Sequence, residues 1–485
     1  MLGSASVVAC IPQPLSDLRA RQLCRAYRAS IRMCARISLA VSATLMTACV
    51  SFGPIGVDPD RAFSGLRDII DDLPTNGTLD VFLVHGMRID APQTYAEITK
   101  PVADRLHLTE SDVGAEQKLV PATPTVTIDG WRVFGGDNWD ANRPRVTIQT
   151  FTAPGGKHVK FYRFQYWEAL AFLKCRLIVA PDTRVVGDST RSKYCAQNSY
   201  DDVGGARLSS SSEFGNRWVK TEIMEWGLAD AVIVTSAYRA VLRQAVREML
   251  ATALRDAGVE EITGAAETSN AQTELQRLAE NKATRFAFIS ESLGSYVVHD
   301  ALAQAVSSTP DAQAERRSLQ PDTNARALEA IAPIVVICGA SQVHMFANQL
   351  ALLRFSELRV RDSSGRDMPS TESSLASDDI ADRAHFFRGC PSRTAAGATM
   401  GREFGAQQVV AYHEPNDLLT YYTSDRPGDV GTENRNTINV VVPFTTKWIW
   451  FLAADPGKAH TGHPEVGKIM DMVVCGRQPK EKPRC

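Results

Sequence analysis

Phe286–Leu302, FAFISESLGSYVVHDAL, changes hydrophobic period within a few residues, and no other stretch constrains the fold of this chain as much. Phe286 to Ile289 is short, apolar and partly β-branched, as a buried strand is. Tyr296, Val297 and the residues up to Leu302 follow the spacing of an amphipathic helix. Ser-Glu-Ser-Leu-Gly-Ser joins the two. A buried strand that passes straight into a helix belongs to a mainly parallel sheet covered by helices.

Other segments repeat the theme. LDVFLVHGMRI contains a strand over Val81–Val84 that breaks at His85-Gly86. RVTIQTFTAPGGKHVKFYRFQYW alternates on both sides of Pro154-Gly155-Gly156, as a hairpin does. Leu228–Leu254 reads as one long helix. PIVVICGASQ reads as a buried strand with a small-residue turn, and SQVHMFANQLALLRF as the helix after it. QQVVAYHEPNDLL and NTINVVVPF supply further strands, and Pro464–Val474 a closing helix. Residues 307–324 and 356–405 are polar and read as surface segments. No internal repeat is present.

The chain has 485 residues, 44% of them hydrophobic, enough for a large single α/β domain with insertions. Its net charge of −2, with no long basic block outside the N-terminus, argues against nucleic acid as a partner. At that terminus Arg19, Arg21, Arg25, Arg28, Arg32 and Arg36 precede an apolar run, Ile37–Met46, too short to span a bilayer but of the length of a secretory signal core. The run ends in LMTAC. This resembles the lipobox of bacterial lipoproteins, in which small residues, here Thr47 and Ala48, precede a cysteine, here Cys49, that is lipidated. Met46 stands where Leu is usual.

The resemblance implies a signal over residues 1–48, with Met33 the more natural start, a tether over 49–78, and export to the periplasmic side of a membrane, the outer membrane foremost. Without residues 1–48 the chain has 47 basic and 54 acidic side chains, a net charge of −7. Six cysteines then remain beside Cys49, and an even set suits disulfides in an oxidising compartment. Cys175 and Cys195, which bracket one irregular stretch, are the candidate pair. No CxxC spacing occurs, and the histidines have no clustered acidic or cysteine partners, so no metal site and no cofactor is expected.

Serine is a nucleophile only when a neighbouring base takes its proton and a third group orients that base. A sharp turn in SESLGS would lift Ser292 from a strand tip onto a helix N-terminus, with small residues, Ser290 and Gly294, two positions either side. The pattern resembles the GxSxG nucleophile elbow of the α/β-hydrolase superfamily, with Ser290 in place of the first glycine. VFLVHGM resembles the strand and His-Gly turn that precede the elbow in lipases and esterases of that superfamily.

The resemblance spans roughly Leu79–Val474 and implies a hydrolase domain over 79–475, followed by a tail over 476–485. Its sheet would be mainly parallel, with helices on both faces and a large insertion before the nucleophile strand, near 110–225, as well as one near 356–405. It further implies an oxyanion hole from the Met87 and Leu293 N–H groups. An acid should follow a later strand: Glu414 and Asp417 both do, and the Pro-Asn-Asp turn favours Asp417. A histidine should come last, and ADPGKAHTGHPEVG supplies His460 and His463. His460 is favoured as base because His463 directly precedes Pro464, which restricts its backbone; His463 is the alternative base.

These expectations describe a lipid-anchored ester hydrolase acting on a small-molecule or lipid ester. MFANQLALLRF would line its acyl pocket. A non-catalytic envelope lipoprotein and an acyltransferase remain open on the same residues, and the oligomeric state is not legible.

Overall fold

A computed structural model of the chain describes residues 62–87, 91–114, 116–119, 127–128, 131–132, 142–174, 227–236, 238–259, 273–274, 277–278, 283–306, 324–349, 408–420, 437–445, 447–449, 453–454 and 456–477. Cys49, Cys175, Cys195 and the region of the signal lie outside them.

The main sheet is mixed and mostly parallel. Its central strands are β1 (Thr78–Val84) and, further along the chain, the strand that precedes Ser292; between them come β2 (Thr109–Val113), β3 (Gln117–Lys118), the small β4 (Thr127–Ile128) and β5 (Trp131–Arg132) pair, β6 (Arg145–Ala153) and β7 (Lys157–Gln165). The rest are β8 (Thr284–Glu291), β9 (Ala340–Phe346), β10 (Gln408–His413) and β11 (Thr437–Val441). Across the sheet the order is β11-β10-β9-β8-β1-β7-β6-β2, with β3 also on β6. From β11 to β7 every pairing is parallel, whereas β6 runs antiparallel to β7, β2 and β3.

The hairpin β6–β7, which falls within the insertion expected near 110–225, is therefore part of the sheet. Its turn lies at Pro154–Gly156 as predicted, and β7 pairs with β1 from Thr78↔His158 to Val84↔Phe164. Paired on both sides, β7 buries Val159 and Phe161 on one face and Phe164 on the other, where their apolar surface is removed from water.

Alternation along the strands builds two cores, one per face. Phe82, Tyr162, Phe288 and Val343 face the helices α3 (Trp167–Lys174), α4 (Ala229–Thr235), α5 (Arg239–Asp256), α6 (Leu293–Val306) and α7 (Asn324–Ala332). On the other face Leu79, Val81, Leu83, Ile289 and Tyr412 meet α1 (Leu66–Asp72), α2 (Ala91–Leu106) and a C-terminal helix at Gly467–Cys475. The result is three layers, helix, sheet and helix. Among the described residues no helix is long and apolar enough to cross a membrane. Residues 446–455 fall in a separate compact unit, in which Lys447–Ile449 pairs antiparallel with Ala453–Ala454.

Three sequence expectations are corrected. The helix expected over Leu228–Leu254 is two helices, α4 and α5, because Thr235 Oγ1 and Ser236 Oγ take backbone carbonyls (Ala231 O at 2.9 Å, Ile233 O at 2.6 Å) and Ser236 turns extended. The apolar PIVVI is not a strand: α7 runs on into a π-helical turn, Pro333–Ile337, buried throughout. A short apolar run fits either state, and here packing decided. The strand is instead ASQVHMF, so His344 and Met345-Phe346 lie in β9 and not in a helix. Its two inward polar side chains satisfy one another, His344 Nε2 lying 3.1 Å from Gln342 Oε1 and Nδ1 3.2 Å from the Tyr412 hydroxyl.

Cys338 and Cys475 are each buried and each disulfide-bonded, in the cores on opposite faces of the sheet.

Candidate active site

The parallel strands present their C-terminal ends on one edge, and the segments that leave β8, β10 and β11 there deliver the predicted residues. Ser292 follows β8 directly, Asp417 lies four residues past β10, and His460 sits after β11 on a short helix, α8 (Pro456–Thr461). These residues are more than 40 positions apart in sequence at the closest, and the sheet brings them into one hydrogen-bonded line. Ser292 Oγ is 2.7 Å from His460 Nε2. His460 Nδ1 is 3.0 and 2.9 Å from the two Asp417 carboxylate oxygens.

Ser292 adopts φ +52°, the left-handed conformation that L side chains avoid. The sharp reversal is held from both sides: its N–H donates to Phe346 O at 2.7 Å, and α6 begins at the next residue. Gly294 is needed for close approach, since a Cβ there would lie 2.3 Å from Val84 O. Ser290 is not a steric compromise. Its hydroxyl fills the space and meets Ser295 Oγ at 2.8 Å.

The proton positions follow from the partners. A carboxylate only accepts, so His460 carries its proton on Nδ1 when neutral, leaving Nε2 to accept from Ser292 Oγ–H. Burial pushes the Asp417 carboxyl up, but the hydrogen bond and charge of His460, with hydrogen bonds from Thr420 Oγ1 and the Leu419 N–H, outweigh it and hold the group below its ordinary value. Asp417 is therefore ionised at neutral pH and able to stabilise an imidazolium.

Glu414, the competing acid, is engaged elsewhere. Its oxygens accept from Phe444 N at 2.5 Å, Thr445 N at 3.3 Å, Thr445 Oγ1 at 2.9 Å and Asn416 Nδ2 at 2.7 Å, tying the loop after β10 to the one after β11. His463, the alternative base, is turned away. Its ring lies between Phe346 and Phe444 (6.2 and 5.0 Å), its Nδ1 faces His460 O at 3.2 Å, and burial pushes it down to about 4.

The turn after β1 reaches the same place. A Cβ on Gly86 would stand 2.5 Å from Ser292 Cβ, so the backbone at Gly86 packs against Ser292. His85 Nδ1 lies 2.7 Å from Gly86 O, its Nε2 accepts from Tyr166 N–H at 3.3 Å, and Tyr166 stacks on the ring at 4.2 Å. Because the peptide is trans and planar, fixing the Gly86 carbonyl also fixes the opposite direction of the Met87 N–H. Leu293 is the first residue of α6, so its N–H has no acceptor within that helix.

One contact was not foreseen. Gln349, just past β9, places its Nε2 3.3 Å from His460 Nε2. Read as part of an apolar helix, it carried no signal; only the strand assignment puts it on the site's edge. Among the described residues no three His, Cys, Asp or Glu side chains converge to hold a metal ion. No protein-family model matches the chain, and neither does any curated protein or solved structure.

Proposed function

We propose that the protein is an exported, lipid-anchored serine hydrolase of α/β-hydrolase type that cleaves carboxylic esters of acyl or lipid kind. The observation that carries this is the continuous line from Asp417 through His460 to Ser292, built on a left-handed serine at the tip of a central strand. A scaffold that only binds has no need of a strained serine whose hydroxyl is already bonded to an oriented imidazole.

In the proposed cycle Ser292 Oγ attacks the ester carbonyl as its proton passes to His460 Nε2, and Asp417 stabilises the imidazolium. The carbonyl oxygen becomes an oxyanion facing the Met87 and Leu293 N–H groups. Collapse breaks the bond to the alkoxy group, which takes the proton from Nε2 and leaves as an alcohol. Water then repeats the two steps on the acyl-Ser292, releasing the acid. The chain order serine, acid, histidine and their places after β8, β10 and β11 at the same edge support the α/β-hydrolase assignment. The basic, apolar N-terminus ending at Cys49 supports export and anchoring, and the oxidised Cys338 and Cys475 fit the compartment.

The test is reaction of Ser292. Wild-type protein should hydrolyse short p-nitrophenyl esters and be labelled by a fluorophosphonate, whereas Ser292→Ala should lose the label and about three or more orders of magnitude of turnover while melting normally. Labelling at Ser290 or Ser295 instead would reject the assignment.

A further inference from the structure

Each parallel strand beside the nucleophile delivers one group to the site: β8 gives Ser292, β10 gives Asp417, and the chain after β11 gives His460. Between them β9 gives Gln349. Its side chain is buried, 1% exposed, and its amide nitrogen approaches the very nitrogen that must accept the serine proton. Its backbone is bent there by a second unusual conformation. Ala347 has φ +48°, and the residue before it, Phe346, accepts the Ser292 N–H. Of the four non-glycine residues with positive φ among the described residues, Ser292 and Ala347 are the two at the site, and strain of this kind, on the order of 1–3 kcal/mol, persists where surrounding structure enforces it.

The two donors cannot both keep Nε2. A neutral imidazole offers one lone pair there, and Ser292 Oγ–H at 2.7 Å holds it more closely than the Gln349 N–H at 3.3 Å. Once the proton has moved, Nε2 is itself a donor and the Gln349 N–H faces it with nothing to accept. The atom toward which His460 Nε2–H must then point is the leaving-group oxygen. A donor 3.3 Å from Nε2 lies within reach of that atom too.

Resting on the reading of Ser292 as nucleophile, we propose that Gln349 is a catalytic residue that donates a hydrogen bond from Nε2 to the leaving-group oxygen, which suits the enzyme to esters of unactivated alcohols. As the carbon–oxygen bond breaks, the oxygen gains the bond's electron pair, takes the proton from His460 Nε2 and departs as the neutral alcohol, while the Gln349 amide stabilises the negative charge that builds before the proton arrives. A p-nitrophenoxide spreads that charge over its ring and has little need of the donor; an alkoxide has no such outlet.

The experiment compares kcat/KM, which reports acylation, for ethyl and p-nitrophenyl esters of the same acid. Gln349→Met removes the donor at similar length, and Gln349→Glu replaces it with an acceptor. In both, kcat/KM for the ethyl ester should fall at least tenfold further than for the p-nitrophenyl ester, with fluorophosphonate labelling of Ser292 retained. Equal losses on the two esters, or none, in variants that still label would overturn the proposal and leave the serine hydrolase reading intact. Wild-type protein that neither labels nor hydrolyses either ester would sink both.

Discussion

Asp80 is the residue most at odds with its surroundings. It sits in β1 opposite Lys160 of β7, 1% exposed, and its Oδ1 has no hydrogen-bond partner among the described residues. Burial pushes its carboxyl up to about 8, Lys160 working against this and Asp256 with it. Lys160 cannot do more because its ammonium is bonded to Asp256 at 3.1 Å, which also accepts from the Tyr162 hydroxyl at 2.9 Å. A carboxyl near 8 in the folded chain and near 4 in the unfolded one binds more protons when folded between those values, so its contribution to stability is complete below about pH 4 and is lost as pH rises toward 8. Asp80→Asn keeps the shape and removes the titration. Its melting temperature should fall less than that of wild type between pH 5 and pH 8.5, and equal falls would mean that Asp80 is ionised in the fold. His463 makes the complementary point: a histidine three residues from the base belongs to the aromatic packing of Phe346 and Phe444, and chain proximity to His460 says nothing of its role.

Between elements, the junction of β1, β8 and α6 is the tightest contact of the site. Two effects oppose each other at Gly294. Alanine favours a helix over glycine by about 1 kcal/mol, whereas a methyl group here would stand 2.3 Å from Val84 O and 2.6 Å from His85 O. Both oxygens are backbone at the end of a strand paired on both sides, so they cannot yield as a flexible side chain would. Steric cost, of order 1–3 kcal/mol or more, should win. Gly294→Ala should therefore lower the chemical denaturation midpoint and reduce fluorophosphonate labelling of Ser292 together. A variant as stable as wild type would show that α6 can slide away from β1. The Arg243–Asp300 pair, two contacts of 2.6 Å between α5 and α6, holds the helix in that position from its outer side.

For the whole molecule, the proposed lipid anchor rests on the N-terminal segment: Cys49→Ala should move the protein from the membrane to the soluble fraction of an expressing cell, and unchanged membrane association would reject the anchor. The N-terminal charge and apolar pattern are local, and so are the strand-to-helix change at Phe286–Leu302, the hairpin at Pro154–Gly156 and the small residues around Ser292. Period, turn chemistry and residue size act over a few positions, so the sequence alone determined a mainly parallel sheet, the sharp turn at Ser292, and the short segments holding Asp417 and His460. What it could not contain was any choice that depends on which surface a segment meets. PIVVI is apolar enough for either state and is helical as the continuation of α7, while ASQVHMF pairs as a strand in which His344 meets Gln342 along β9 and Tyr412 across on β10. Turn geometry favours Asp417 over Glu414 and His460 over His463, but it is the loop after β11 that consumes Glu414 and two phenylalanines that enclose His463. Gln349 enters the site for the same reason. Side chains far apart in sequence compete for the same hydrogen bonds and the same apolar surface, and only the packed sheet decides which of them obtains each.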